Sequence, residues 1–327
     1  MLRVCVIGMG PIGNLHADIY KADELSELVG VCDIIKQRAD GAAERLGVRP
    51  FHDAQSMLDA LRPDVVSVAT GGYEYGSDHY EPTIQALEAG CHVLCEKPIC
   101  NEIAKAEEMV ATAGRKQRCF GVDLNHRFTP AARLARKWLD EGRLGHLLFV
   151  NMAMWIKNPN ESSPYFQIKA LHPHTVDVMR YFCGDVKAVH AFLGKGKGRT
   201  IWSNAQVGMA FANGVVGNLT GSYDAGGSFG LEQCDVAGSD GRFVLDDACE
   251  HLSFYPRKGM QTERFDYLGG MMSFAETFKS RISFWIDQLL AKTPPEKIEA
   301  SGADALKAQK IIEAAIASSQ TGKTVEV

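Results

Sequence analysis

Arg3-Val-Cys-Val-Ile7 is a near-continuous apolar run rich in β-branched residues, and it ends directly on the glycines of Gly8-Met-Gly10-Pro-Ile-Gly13. A run of that kind suits a parallel strand covered on both faces. From Pro11 and Ile12 a helical pattern continues to about Lys21, and Leu28-Val-Gly-Val-Cys-Asp33 forms a second strand ending on an acid. Strand, glycine turn, helix, strand and acid, in that order, make the βαβ unit that holds a dinucleotide. The three glycines have separate tasks. Gly8 permits the tight turn, Gly10 lets a pyrophosphate approach backbone N–H groups, and Gly13 lets the helix pack close to the sheet, so that the helix N-terminus faces the phosphates.

Asp33 stands where an acid accepts hydrogen bonds from the adenosine ribose hydroxyls, which points to NAD. Lys36 and Arg38 follow closely, and NADP stays open as the alternative if the loop turns them toward a 2′-phosphate. Helices are expected over 39–46, 56–61, 82–89 and 104–113. Strands are expected near Phe51, over 64–69, at His92-Val-Leu-Cys95 and at Cys119-Phe-Gly-Val122. This alternation predicts a doubly wound parallel sheet, a Rossmann domain over residues 1–122. The polar loop from Thr70 to His79 lies at the C-terminal edge of a strand, where ligands bind in such sheets, so Thr70 and His79 join the candidate cofactor contacts.

Composition removes several other classes. Lys and Arg number 35 against 40 Asp and Glu, for a formal charge of -5, and with no run of five or more like charges the usual electrostatic case for nucleic acid or anionic membrane is missing. The apolar runs are too short for a membrane span. Nine scattered Cys without a Cys-x-x-Cys pair suggest reduced, buried thiols and a cytoplasmic protein. The N-terminal residues run straight into a strand, so no secretory signal is expected at this end.

Beyond Val122 the pattern changes. One helix over 130–141 is followed by longer β-like stretches, with hairpin signals at Asn213-Gly214 and Asp240-Gly241. A helix over 173–182 interrupts them, and two more are expected over 273–290 and 303–318. Residues 123–327 therefore read as an α+β domain on a large, mainly antiparallel open sheet. A broad one-sided sheet needs its other face solvated or covered by a second subunit, so a homo-oligomer, dimer or tetramer, is expected.

Several stretches resemble the Gfo/Idh/MocA oxidoreductase family, the group around glucose-fructose oxidoreductase and inositol dehydrogenase. They are Gly8-Met-Gly10-Pro-Ile-Gly13-Asn-Leu-His16, Gly90-Cys-His-Val-Leu-Cys-Glu96-Lys97-Pro98, Asn125-His-Arg127-Phe128, His174-Thr-Val-Asp177 and the closing Ser319-Gln-Thr-Gly322-Lys-Thr-Val325. The resemblance spans almost the whole chain. It implies a Rossmann domain, a C-terminal open-sheet domain, a nicotinamide cofactor and a sugar or cyclitol substrate, with Lys97 as the catalytic lysine and His174 as the catalytic histidine. The family pattern has Asp four residues before that histidine, where this chain has Ala170.

The chemistry leads to similar residues. Oxidising a secondary alcohol requires a base near neutral pKa to take the hydroxyl proton while hydride leaves the carbon, and histidine meets that demand. A lysine beside the same oxygen stabilises developing negative charge. Asp177, three residues after His174, would share a helix face with it and either orient the ring or bond locally, and His172 is either a satisfied structural histidine or the residue that compensates for Ala170. Glu96 would pair with Lys97 or bond the nicotinamide ribose. Asn125, His126, Arg127, Trp155, Tyr165 and Gln167, with His174, offer the polar and aromatic surface a neutral polyol needs. His172-x-His174 lacks accompanying ligand spacing, so no metal is expected. The expectation is oxidation of a secondary ring hydroxyl of a sugar, inositol or sugar derivative with hydride transfer to nicotinamide, Lys97 and His174 meeting at the nicotinamide. The alternatives are a cofactor-retaining redox glycosidase or lyase, and a non-catalytic dinucleotide-dependent sensor.

Overall fold

The computed structural model describes residues 1–72, 76–225, 231–247, 249, 251–266 and 274–327. The chain divides into two units, Met1–Leu124 with Phe278–Leu306, and Asn125–Thr277 with Lys307–Val327.

In the first unit β1 (Leu2–Ile7), α1 (Pro11–Ala22), β2 (Ser26–Cys32), α2 (Lys36–Leu46), β3 (Arg49–Phe51), α3 (Ala54–Leu61), β4 (Val65–Val68), α4 (Tyr80–Glu88), β5 (His92–Cys95), α5 (Ile103–Lys116) and β6 (Phe120–Val122) alternate along the chain. Their strands form a parallel six-stranded sheet in the order β3-β2-β1-β4-β5-β6. The order reverses beside β1, the switch point at which such sheets bind ligands. Val4, Val6, Val65 and Leu94 are buried because helices cover the sheet, which explains their unbroken apolar runs. The loop expected from Thr70 to His79 is described except for 73–75, which lie outside the described residues.

The second unit begins with a 3-10 turn at Asn125–Phe128 and continues through α6 (Pro130–Asp140), β7 (Leu147–Trp155), α7 (Phe166–Cys183), β8 (Val186–Gly194), β9 (Asn204–Phe211), β10 (Val216–Ser222), β11 (Leu231–Gly238), β12 (Gly241–Asp246), β13 (His251–Pro256) and β14 (Glu263–Phe265). The chain then forms α8 (Phe274–Leu290), α9 (Gly302–Thr321) and β15 (Val325–Glu326). The nine-stranded sheet has the order β14-β13-β12-β11-β7-β10-β9-β8-β15, antiparallel throughout except for the β7–β10 pair. Strand alternation sends Val150, Met152, Val207, Met209, Leu219, Cys234 and Val236 into one core with Val176, Met179 and Phe182 of α7 and Ile311, Ile312 and Ala315 of α9. The opposite positions, Phe149, Val216 and Phe192 among them, are exposed.

Two features depart from the sequence reading. Helix α7 starts at Phe166 rather than Pro173, so His174 lies in its interior instead of at its start. Proline normally opens a helix or breaks one; here Phe166, Ile168, Ala170 and Leu171, all buried, hold the preceding turns in place. The expected second domain, 123–327, differs from the second unit by residues 123–124 and 278–306, which join the first. There Ile282, Trp285, Ile286, Leu289 and Ile298 share a core with Tyr20, Leu94 and Cys119. All nine cysteines are buried free thiols, and among the described residues no helix is long and apolar enough to cross a membrane.

Candidate functional site

The first unit builds its site around the β1–α1 turn. Gly8 has φ +92°, and a Cβ there would come within 2.6 Å of the Ala69 and Thr70 backbone; a Cβ on Gly13 would lie 1.6 Å from Gly8 O. Gly10 is different, since a Cβ there meets nothing within 4 Å. It is the N-cap of α1 and supplies no side-chain cap, and Pro11 follows it, so the N–H groups of Ile12 and Gly13 open the helix without a capping side chain. That uncapped terminus fits a phosphate group. Asp33 Oδ2 accepts the Met9 N–H at 2.7 Å and Oδ1 accepts the Ile35 N–H at 2.8 Å, which fixes the acid against the glycine turn. Arg38 is exposed in the first turn of α2.

The ends of β4, β5 and β6 carry the rest. Glu96 follows β5, its Oε2 accepts the Lys97 N–H at 3.1 Å, and Lys97 is linked to Pro98 by a cis peptide bond. His79 Nδ1 lies 2.7 Å from Pro98 O and its Nε2 lies 3.1 Å from Thr70 O, while the Thr70 hydroxyl donates to Asp78 O. Thr70 and His79, expected at the cofactor, are thus engaged in fastening the loop to the turn after Lys97.

Sequence reasoning gave no role to His16 or Asp123, yet these two and Glu96 form a buried cluster. His16 Nδ1 lies 2.8 Å from Ser67 Oγ, and Nε2 lies 3.2 Å from both Glu96 Oε1 and Asp123 Oδ2. Burial alone would depress the His16 pKa, but the hydrogen bonds to Asp123 and Glu96 outweigh it and lift the value to about 9. Burial raises Asp123 to about 6 against the pull of His16, and Glu96 is held below its usual range because the His16 hydrogen bond overcomes burial. The atoms also satisfy the spacing of a metal triad. An imidazolium between two carboxylates already accounts for the arrangement, and all three side chains are buried. The available signal was an acid directly after three of the buried strands, Asp33 after β2, Glu96 after β5 and Asp123 after β6.

In the second unit the imidazoles of His126 and His174 stack, with centroids 4.1 Å apart and planes 13° apart, and His126 Nδ1 lies 2.7 Å from Glu232 Oε1. Arg127 makes a two-point ion pair with Asp177, Nε to Oδ2 at 2.7 Å and one terminal nitrogen to Oδ1. Asp177 therefore anchors the 3-10 turn to α7. Asn125 Nδ2 donates to Thr277 Oγ1 at 2.6 Å. His172 is fully buried: Nε2 lies 2.8 Å from Gln167 Nε2, Nδ1 lies 2.8 Å from Thr175 Oγ1, and burial pushes its pKa down to about 3. A Cβ on Gly221 would sit 1.8 Å from that ring, so His172 and Gln167 pack directly on β10. The Tyr165 hydroxyl accepts from Gln320 Nε2 at 2.6 Å, and Trp155 ends β7 opposite Ser222 and Leu231. Glu232 escaped the sequence reading; its signal is an acid in register with the inward-facing Cys234 and Val236.

Residues 2–124 match the model of an oxidoreductase family with an NAD-binding Rossmann fold, and residues 132–244 match the GFO/IDH/MocA C-terminal domain. A D-glucoside 3-dehydrogenase of Escherichia coli (strain K12) is 40% identical over 148 residues, 45% of this chain and 41% of the relative. A D-apiose dehydrogenase of Paraburkholderia graminis is 26% identical over 340 residues, covering 98% of this chain and 88% of the relative. In fold the chain is similar to a levoglucosan dehydrogenase solved in complex with NADH, at a TM-score of 0.88 and 23% identity over 100% of this chain and 99% of that one. With both domain models matched in chain order and the fold alike from end to end, the chain belongs to the Gfo/Idh/MocA oxidoreductase family.

Proposed function

We propose that this oxidoreductase is a dehydrogenase that oxidises a secondary ring hydroxyl of a sugar, cyclitol or sugar derivative with a nicotinamide dinucleotide. The observation that carries the reading is the uncapped start of α1 above a glycine turn braced by Asp33. Ile12 and Gly13 N–H groups would hold the pyrophosphate and Asp33 the adenosine ribose, and the open side of Gly10 leaves room for that approach. A carboxylate at that position favours NAD over NADP, whose 2′-phosphate it repels. When bound, the nicotinamide supplies the hydride acceptor.

The chain's own residues handle the proton and the charge. His174 takes the hydroxyl proton, and the Lys97 ammonium stabilises negative charge developing on the oxygen. Glu96, bonded to the Lys97 backbone, sets where that side chain starts. His172 and Asp177 serve as supports, the first packed on β10 and the second paired with Arg127. Dehydrogenases of D-glucosides and D-apiose among the relatives support a sugar substrate. Nine buried thiols suit a reducing cytoplasmic setting, and the exposed apolar positions of the large sheet suit a homo-oligomer.

The test is a panel of sugars and cyclitols with NAD and with NADP, read at the absorbance of the reduced cofactor, followed by identification of the oxidised product. Steady formation of reduced cofactor, faster with NAD, is expected. Product formation with no net reduction would replace the reading with a closed redox cycle. His174→Ala and Lys97→Ala should each lower turnover more than tenfold with dinucleotide affinity retained, and His172→Ala should cost less turnover than His174→Ala.

A further inference from the structure

His126 uses only one of its ring nitrogens. Nδ1 lies 2.7 Å from Glu232 Oε1, while Nε2 meets no hydrogen-bonding partner among the described residues, although the residue is only 1% exposed. Asn125, the preceding residue in the same 3-10 turn, repeats the pattern, with Nδ2 on Thr277 and a buried Oδ1 that meets no hydrogen-bonding partner among the described residues. Buried polar atoms left unpaired weaken a fold, so two on consecutive residues mark groups kept for a ligand.

The carboxylate of Glu232 only accepts hydrogen bonds, so the proton on a neutral His126 ring sits on Nδ1 and Nε2 presents a lone pair. Glu232 is itself buried at an inward position of β11, with the Cys249 thiol 4.0 Å from the same oxygen. Its carboxylate and the His174 ring face hold His126 in one orientation. The two imidazoles stack with their centroids 4.1 Å apart, so a ligand that reaches both rings needs two oxygens on neighbouring atoms, as a vicinal diol has.

Resting on the reading of His174 as the base, we propose that His126 is a substrate-contacting residue that accepts a hydrogen bond from the hydroxyl next to the one oxidised, with Glu232 as the positioning residue that fixes its tautomer. The substrate class is thereby narrowed from secondary alcohols to vicinal diols of a ring. The variants are His126→Phe, which keeps a ring on His174 but has no acceptor, and Glu232→Gln, whose amide can instead donate to Nδ1 and turn Nε2 into a donor.

The experiment compares kcat/KM for methyl β-D-glucopyranoside with that for its 2-deoxy and 4-deoxy forms, with NAD saturating, in the wild type and both variants. For the parent sugar each variant should lose at least tenfold. For one of the deoxy forms the wild type should already show that loss and the variants should add less than threefold. Equal further losses on every sugar, with melting temperature and NAD affinity unchanged, would overturn the proposal. A second readout stands apart from turnover: in the NAD-loaded protein carrying 15N-labelled histidine, saturating myo-inositol or the glucoside should move the Nε2 resonance that His126→Phe removes. Turnover with that resonance unmoved sinks this proposal alone. Binding that moves it without any cofactor reduction sinks the dehydrogenase reading instead, and no binding of either polyol counts against both.

Discussion

His16 shows how one side chain ties together groups far apart in sequence. Its ring reaches Ser67, Glu96 and Asp123, which follow or lie in three neighbouring strands, and its elevated pKa couples that junction to pH. A basic group whose folded pKa is about 9, against 6.5 unfolded, contributes stability that is complete below 6.5 and is lost as pH rises through 9. His16→Asn should therefore cost about 3 kcal/mol at pH 6, as breaking a buried ion pair does, and should flatten the fall in melting temperature expected of the wild type between pH 6.5 and 9. Thermal melts of both proteins across that range check it; parallel curves would refute it. Sequence could list His16 within a motif, but the ring's partners lie 51, 80 and 107 positions away, and only the sheet brings them together. For His172 and His174 the reverse holds. Both were legible as chemistry-bearing side chains and both are buried; what separates them is their surroundings, which spacing does not reveal: His172 packs between the Gln167 amide and the Thr175 hydroxyl with its pKa pushed down by burial, whereas His174 stacks on a second imidazole.

Among the elements, the β1–α1 turn was readable because each glycine answers a local steric demand. Gly13→Ala places a methyl 1.6 Å from Gly8 O, so α1 must move, at about 3 kcal/mol. Gly10→Ala meets no atom and has an ordinary backbone, with φ -73°, so it should melt within a few degrees of the wild type while weakening NAD binding severalfold. Calorimetry on the two variants separates the effects; a Gly10→Ala protein with full NAD affinity would show that the open side of the turn is not used. Helix α7 was only half legible. The proline at 173 is a local stop signal, and the apolar face from Phe166 to Leu171 overrides it through contacts with distant strands.

The large sheet of the second unit carries, on the face away from its core, Val216 beside Phe149 at 59% and 38% exposure, and Phe192 at 69%. An assembly through that face would remove them from water, so sedimentation at micromolar concentration should find a species larger than the 35.7 kDa chain, and Phe149→Asp with Val216→Asp should shift it toward that mass. A single species of chain mass in the unmodified protein would discard the idea. At this scale the strand-helix alternation and the glycine turn determined the Rossmann unit from residue order alone, because parallel strands, crossover helices and tight turns are short-range constraints. Which histidine keeps a neutral ring, which acid backs His126, and that residues 278–306 return to the first unit were decided only in three dimensions. Those outcomes depend on desolvation and on charge pairs between residues that no local pattern connects.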